Sequence, residues 1–279
     1  VAGDIKLQLS AFNIDSSISS LFYTELPTPK QSTMAFPLPQ GISTYHTKPY
    51  PAIDISRPEL STTGRVVFIT GGGSGLGLAF AQHFAAAGST QIAITGRRQK
   101  VLLDAQKLIQ GKHPATKVLT LQSDVVDRDG VIAAFKKTAE TFGKVDILVN
   151  NAGYLPAYEL LGSETLPDDW WSAFSINVRG SHNVLSAFLP VATQNATVLN
   201  LTSAAVNAVV PGQSGYTASK IAAARVFECF AAENPGFRVV NVAPGVVMTE
   251  MHEKTVQHFE NKGWPQLPLD DSKFHRRSC

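Results

Sequence analysis

Three residues raise a chemical possibility: Ser203, Tyr216 and Lys220, in the stretch SAAVNAVVPGQSGYTASKIAAARV (203–226). On a helix, positions i and i+4 share a face, so Tyr216 and Lys220 project side by side. An ordinary tyrosine titrates near pH 10, too high for general acid–base work at neutral pH. A neighbouring ammonium favours the phenolate and brings that pKa down. Ser203 follows the apolar run TVLNLT (197–202), where a strand would end. Such a set could move a proton to or from an oxygen held by the serine hydroxyl. Each member also has an ordinary explanation. A Tyr-x-x-x-Lys pair arises often by chance, and a serine after a strand is commonly a strand-end hydroxyl.

A second cluster, TGGGSGLG (70–77), lies between an apolar run and a helical pattern. That context is the one a dinucleotide fingerprint needs. Gly71 permits a tight turn, Gly75 lets the backbone approach a pyrophosphate, and Gly77 lets helix and strand pack closely. Amides at the helix start would hold the phosphates. Further on, ITGRRQK (94–100) supplies Gly96, Arg97 and Arg98 where a NAD site usually places an acid. An arginine can grip a 2′-phosphate through two hydrogen bonds, so the sequence favours NADP(H) over NAD(H). The alternative is that both arginines are solvated residues at a helix start.

These residues need a frame. RVVFIT (65–70), QIAIT (91–95), KVLTL (117–121), VDILVN (145–150), TVLNLT (197–202) and FRVVNVA (237–243) are short β-branched runs that predict six strands. Helical patterns separate them at 76–88, 97–109, 127–143, 168–189 and 216–233. Strands alternating with helices of this length predict an α/β fold, a doubly wound parallel sheet with helices on both faces. The motifs then fall at the carboxyl edge of the sheet, where open α/β folds bind ligands. Residues 61–279 form the predicted Rossmann-like domain. Residues 1–60 are expected to be an irregular leader: seven of the chain's 16 prolines lie between Pro27 and Pro58, and no sustained period runs through the stretch.

The gross numbers narrow the class. With 279 residues, 44% hydrophobic and 16% charged, the chain can build one large core. A net charge of +2 and the lack of a basic stripe argue against nucleic acid. No apolar run reaches the roughly 18 residues of a membrane span. Two cysteines, Cys229 and Cys279, form no disulfide framework, which suggests a reducing, cytoplasmic setting. Cys229 is expected to be a buried small hydrophobe. No His, Cys, Asp and Glu cluster has metal-ligand spacing.

Seven motifs now stand in order: TGGGSGLG (70–77), SDV (123–125), NNAG (150–153), NVRG (177–180), Ser203, YTASK (216–220) and PGVVMT (244–249). Over about residues 60–265 the chain resembles a short-chain dehydrogenase/reductase of the common, roughly 250-residue type. The resemblance implies an enzyme that interconverts a carbonyl and an alcohol by hydride transfer. Tyr216 would be the general acid or base. Lys220 would hold the nicotinamide ribose and lower the Tyr216 pKa. Ser203 would orient the substrate oxygen, and Asn177 would hold a water that links Lys220 to solvent. Ser74 and Leu76 would join the three glycines around the cofactor. Asp124 would meet the adenine with Val125 beside it, and Asn151, Ala152 and Gly153 would line the adenosine side. Pro244, Gly245 and Val247 would support the nicotinamide, and Thr249 would reach its carboxamide or the phosphates.

Tyr154, Leu155, Tyr158, Val206, Val209, Met251 and Trp264 flank the catalytic segments and are candidates for a pocket wall, which suggests an apolar or aromatic small-molecule substrate. Cells keep NADP largely reduced, so carbonyl reduction is the expected direction. A nucleotide-binding regulator without turnover, or an inactive product, are the rival readings. Residues 34–72 resemble the start of a group of reductases in filamentous fungi, so Met34 is expected to be the natural start. The tail SKFHRRSC (272–279) has no β-branched run, and the family's last helix and seventh strand are expected to be missing. A homodimer built by the helices carrying NVRG and YTASK is then expected in preference to a tetramer.

Overall fold

The computed structural model describes residues 50–162, 167–207 and 209–261. Among the described residues, six strands form one sheet: β1 (Val66–Thr70), β2 (Gln91–Gly96), β3 (Lys117–Gln122), β4 (Val145–Asn150), β5 (Ala192–Leu201) and β6 (Arg238–Val242). Their order is β3-β2-β1-β4-β5-β6, and every pairing is parallel. The helices are α1 (Gly75–Ala86), α2 (Gln99–Lys112), α3 (Arg128–Phe142), α4 (Pro167–Phe174), α5 (Gly180–Phe188), α6 (Ser214–Glu233) and α7 (Glu250–Asn261). This is the doubly wound α/β fold that the alternating pattern predicts. The order reverses between β1 and β4, which opens a crevice above their carboxyl ends.

The central strand shows why the apolar runs lack alternation. All five residues of β1 are buried, because both faces of the sheet are covered. Phe68 points into one core, with Phe135 of α3, Leu148, Phe188 of α5 and Phe227 of α6. Val67 and Ile69 point into the other, with Ala81 of α1, Ile94 and Leu102 and Ile109 of α2. The Phe68 and Phe135 rings stack at 3.8 Å between centroids, and Phe188 tilts against Phe135 at 6.1 Å.

Several expectations shift. Residues 1–49 and 262–279 lie outside the described residues, so most of the leader and all of the tail do too. Residues 50–60 hold two short 3₁₀ turns, Pro51–Ile53 and Pro58–Leu60. The fifth strand starts at Ala192, five residues ahead of the apolar run, where its partner Val145 begins β4. The single helix expected over 168–189 is divided by a π-helical turn, Ser175–Arg179, between α4 and α5. Cys229 is exposed, not buried. The buried face of α6 carries Ala223, Phe227 and Phe230 at helical spacing, and Cys229 falls two residues past Phe227, on the opposite side.

Phe135→Ala removes the ring that joins β1 to α5. We expect a loss of about 3–5 kcal/mol of stability, measured as a lowered denaturant midpoint with an unchanged m-value.

Candidate active site

A cavity of about 520 Å³ opens over the carboxyl ends of the strands. It is bordered by the turn after β1, the loops after β2 to β6, and the first turns of α6 and α7. Every catalytic or cofactor-binding candidate from the sequence lines it except Gly77 and Asn177. These two act from behind the wall.

At one end lies the glycine turn. Gly71 and Gly75 take φ of 65° and 51°, the left-handed region that suits glycine. A Cβ on Gly77 would collide with Gly71 O and stand 2.6 Å from Asn151 Nδ2. That contact is close because Asn151 Nδ2 donates to Thr70 O at 2.9 Å and to Gly71 O at 3.2 Å. In return, Thr70 Oγ1 accepts the backbone N–H groups of Asn151 and Ala152, each at 3.0 Å. β1 and β4 are thus laced together where the order reverses. Ser74 occupies the N-cap of α1 and makes no capping hydrogen bond through its side chain. The first amides of α1 therefore keep their capacity for an anion.

Arg97 and Arg98 follow β2 into the cavity, with Ser123, Asp124 and Val125 after β3 beside them. Arg98 meets Glu250 of α7 at 3.8 Å, both side chains being exposed. Ser123 Oγ is buried without a protein partner. Val125 is buried under Gly180, where any Cβ would stand 2.6 Å from Val125 Cγ2. Asp124 Oδ1 accepts from Val126 N at 3.2 Å and shapes that turn. Glycine cradle, uncapped helix start, paired guanidinium groups and an orphaned hydroxyl fit a dinucleotide with phosphate groups.

At the other end stand Ser203, Tyr216 and Lys220. Tyr216 is half-buried and lines the cavity with Ser203, close enough for the serine hydroxyl to influence its titration. Ser203 Oγ also accepts from Ala205 N at 3.2 Å. Lys220 is only 7% exposed, and its Nζ donates to Leu201 O at 2.7 Å. The Tyr216 titration differs from expectation. Burial raises its pKa above the usual 10, with the nearby Ser203 hydroxyl opposing. Lys220 Nζ lies 6.0 Å from the Tyr216 ring centroid, and burial lowers the lysine itself to about 8. Both groups are therefore pushed toward their neutral forms.

Asn177 sits in the π turn, 2% exposed, with its amide fully engaged. Its Nδ2 donates to Tyr154 O and to Ser219 Oγ, both at 2.9 Å, and its Oδ1 accepts from Tyr154 N at 2.8 Å. It ties the segment after β4 to α6. A Cβ on Gly153 would lie 3.3 Å from both Asn177 Oδ1 and Lys220 Nζ, so that glycine brings the two together. Thr249 Oγ1 accepts from His252 N at 3.2 Å and caps α7, a capping role beside its place in the cavity wall.

The expected wall is partly redrawn. Tyr154, Leu155 and Met251 line the cavity. Val209 does not; it is 88% exposed, and Val210 takes the inward place. Val206 stays outside the wall, Tyr158 lines a smaller neighbouring pocket, and Trp264 lies outside the described residues. Sequence reasoning missed Asp169, whose carboxylate accepts from Tyr154 Oη at 2.5 Å and Ala157 N at 2.7 Å. That bond pushes the Tyr154 phenol up to about 12. It also missed Gln213 and Thr255, which line the cavity from the starts of α6 and α7.

The profile of the family described as "short chain dehydrogenase" matches residues 65–260. The chain belongs to the short-chain dehydrogenase/reductase family. Among curated relatives, the short chain dehydrogenase mpl6 of Monascus purpureus is 34% identical over 230 residues, covering 78% of this chain and 77% of the relative. The 3-oxoacyl-[acyl-carrier-protein] reductase FabG of Thermotoga maritima is 32% identical over 210 residues, covering 74% and 83%. The crystal structure of levodione reductase superposes with a TM-score of 0.67 at 30% identity, covering 72% of this chain and 79% of that one. Membership carries oxidoreductase chemistry with a nicotinamide cofactor and a small-molecule substrate. No helix among the described residues is long and apolar enough to cross a membrane, and none of their His, Cys, Asp and Glu residues group to hold a metal ion.

Burial of Lys220 has a consequence for stability. Its folded pKa, about 8, lies below the unfolded value of 10.5, so the unfolded chain binds more protons between them. The burial cost is full below pH 8 and is relieved as pH rises. The chain free of cofactor is expected to gain about 2 kcal/mol between pH 8 and pH 10. Lys220→Met should flatten that rise, as read from denaturation curves at each pH.

Proposed function

We propose that the chain is an NADP(H)-dependent oxidoreductase that interconverts a carbonyl and an alcohol, with Tyr216 as general acid and base. The observation that carries this reading is the placing of Tyr216 and Ser203 together in the cavity wall, with Lys220 one helical turn after the tyrosine. The bound nicotinamide supplies or accepts the hydride. Burial keeps the Tyr216 phenol protonated at neutral pH, the form that can donate to a carbonyl oxygen. Ser203 would share that oxygen as a second hydrogen-bond partner and orient it. Lys220, held at Leu201 O, would bind the nicotinamide ribose and favour the phenolate once the proton has left. Asn177 would act as a positioning residue, because its amide ties the Tyr154 backbone to Ser219, the neighbour of Lys220 on α6.

Preference for NADP(H) is supported by Arg97 and Arg98 in the wall immediately after β2. The Arg98–Glu250 pair is exposed and worth little, so a phosphate can displace the carboxylate. Leu155, Val210 and Met251 favour an apolar body on the substrate.

Tyr216→Phe is expected to lower kcat by about 10²–10⁴-fold while leaving the NADPH dissociation constant within about threefold, by steady-state kinetics and calorimetry. Full turnover in that variant would remove Tyr216 from the mechanism. NADPH should bind at least about tenfold more tightly than NADH, and Arg97→Ala with Arg98→Ala should erase the difference. Equal binding by the unaltered chain would reject the NADP reading.

A further inference from the structure

We propose that Gln213 forms a polar subsite in the substrate cavity that receives a second oxygen on the substrate, so that hydroxyketones and diketones are favoured over plain hydrocarbon ketones. The inference rests on the reading of Tyr216 as the group that serves the reacting oxygen.

Gln213 is the N-cap residue of α6, three positions before Tyr216, and lines the cavity while only 8% exposed. A buried amide is costly unless its groups are paired. Here one half is paired. Nε2 donates to Tyr158 Oη, which in turn donates to Thr255 Oγ1 at 3.0 Å. Among the described residues no donor meets Gln213 Oε1. Turning the amide over would exchange the two atoms and leave Nε2 as the free group. In either orientation one amide atom is available, as an acceptor for a hydroxyl or a donor to a carbonyl.

This fixture is rigidly held. The Tyr158 ring stacks on His258 at 4.3 Å and meets Phe259 edge-on at 6.0 Å. Gly212, at φ 82°, lets the chain turn against Tyr158, and its carbonyl accepts from Glu159 N at 3.0 Å. Three segments remote in sequence therefore fix one amide. Tyr158 is also near enough to Tyr216 to influence its titration, which places amide and catalytic hydroxyl in one region. Helix positions i and i+3 put Cβ atoms about 5–6 Å apart. A second oxygen three or four carbons from the reacting one spans that gap. Leu155, Val210 and Met251 would pack the carbon frame between them.

A pair of matched cyclic ketones tests the subsite: 4-hydroxycyclohexanone against 4-methylcyclohexanone, with the corresponding 3-substituted pair alongside. Each would be assayed with NADPH, and each corresponding alcohol's dissociation constant would be measured on the NADP⁺-loaded full chain by calorimetry. The hydroxyl members should lead by about tenfold or more in kcat/KM or in affinity. Gln213→Leu should cut that lead below about threefold, mostly through KM. Tyr158→Phe, which frees the amide, should weaken it in part, with folding of both variants checked by thermal melts. Equal values for the two members of each pair in the unaltered chain would overturn the subsite, as would no binding by any of them. The Tyr216→Phe result stands apart from this. Loss of turnover in that variant together with no hydroxyl preference would sink the subsite alone. Retained turnover would sink the mechanism, and the affinity contrast would then decide the subsite by itself.

Discussion

The site depends on the lacing between Thr70 and Asn151. One hydroxyl at the end of β1 accepts two amides from the start of the next loop, and one side-chain amide returns to two carbonyls of the glycine turn. These bonds close the crevice floor at the point where strand order reverses. They also explain the close approach of Gly77, since any side chain there would drive Asn151 off its carbonyls. Each bond is worth only about 1 kcal/mol on its own. Their geometric effect is larger, because the glycine turn on one side and Gly153 on the other take their places from the same four bonds.

A second constraint is the burial of Lys220. Enclosing an ammonium away from water is unfavourable, and one carbonyl offsets only part of the loss. The fold tolerates this at the carboxyl edge of the sheet, where Ser203 and Tyr216 stand half-buried in the cavity wall. Tyr216 and Lys220 are pushed toward neutrality by the same dry surroundings. A bound anionic cofactor would change that balance, so the protonation state of this pair is a property of the loaded site more than of either side chain.

Much of the frame was legible in the sequence, because a sheet covered on both faces demands unbroken β-branched runs. VVFIT at β1 is an instance: no period of two appears, and both neighbours in space are apolar. The glycine turn and the Tyr216–Lys220 pair were legible for a similar reason, since each acts through fixed local spacing. What stayed hidden depends on contacts across the chain. Gln213 meets Tyr158 and Thr255 only after three loops converge, and Asp169 meets Tyr154 only across the 154–169 segment. Helical periodicity could have exposed the error at Cys229, because Ala223, Phe227 and Phe230 already set the buried phase of α6. Asn177 was legible as important through its motif, but its partners, the Tyr154 backbone and Ser219, were not.

The π turn at Ser175–Arg179 has its own consequence. A wider turn accommodates one residue more than an α turn, so it offsets the angular phase of everything that follows by roughly one position. Trp170 of α4 can therefore settle on Gly215 while Val184, Leu185 and Phe188 of α5 reach the core, two aims that a single uninterrupted cylinder could not serve together. Straightening this turn into α geometry with its length unchanged would rotate α5 by about 100° out of its seat, whereas removing one residue would leave α5 in phase. The stretch is thus a place where chain length and turn width together, rather than side-chain identity, are what the fold constrains.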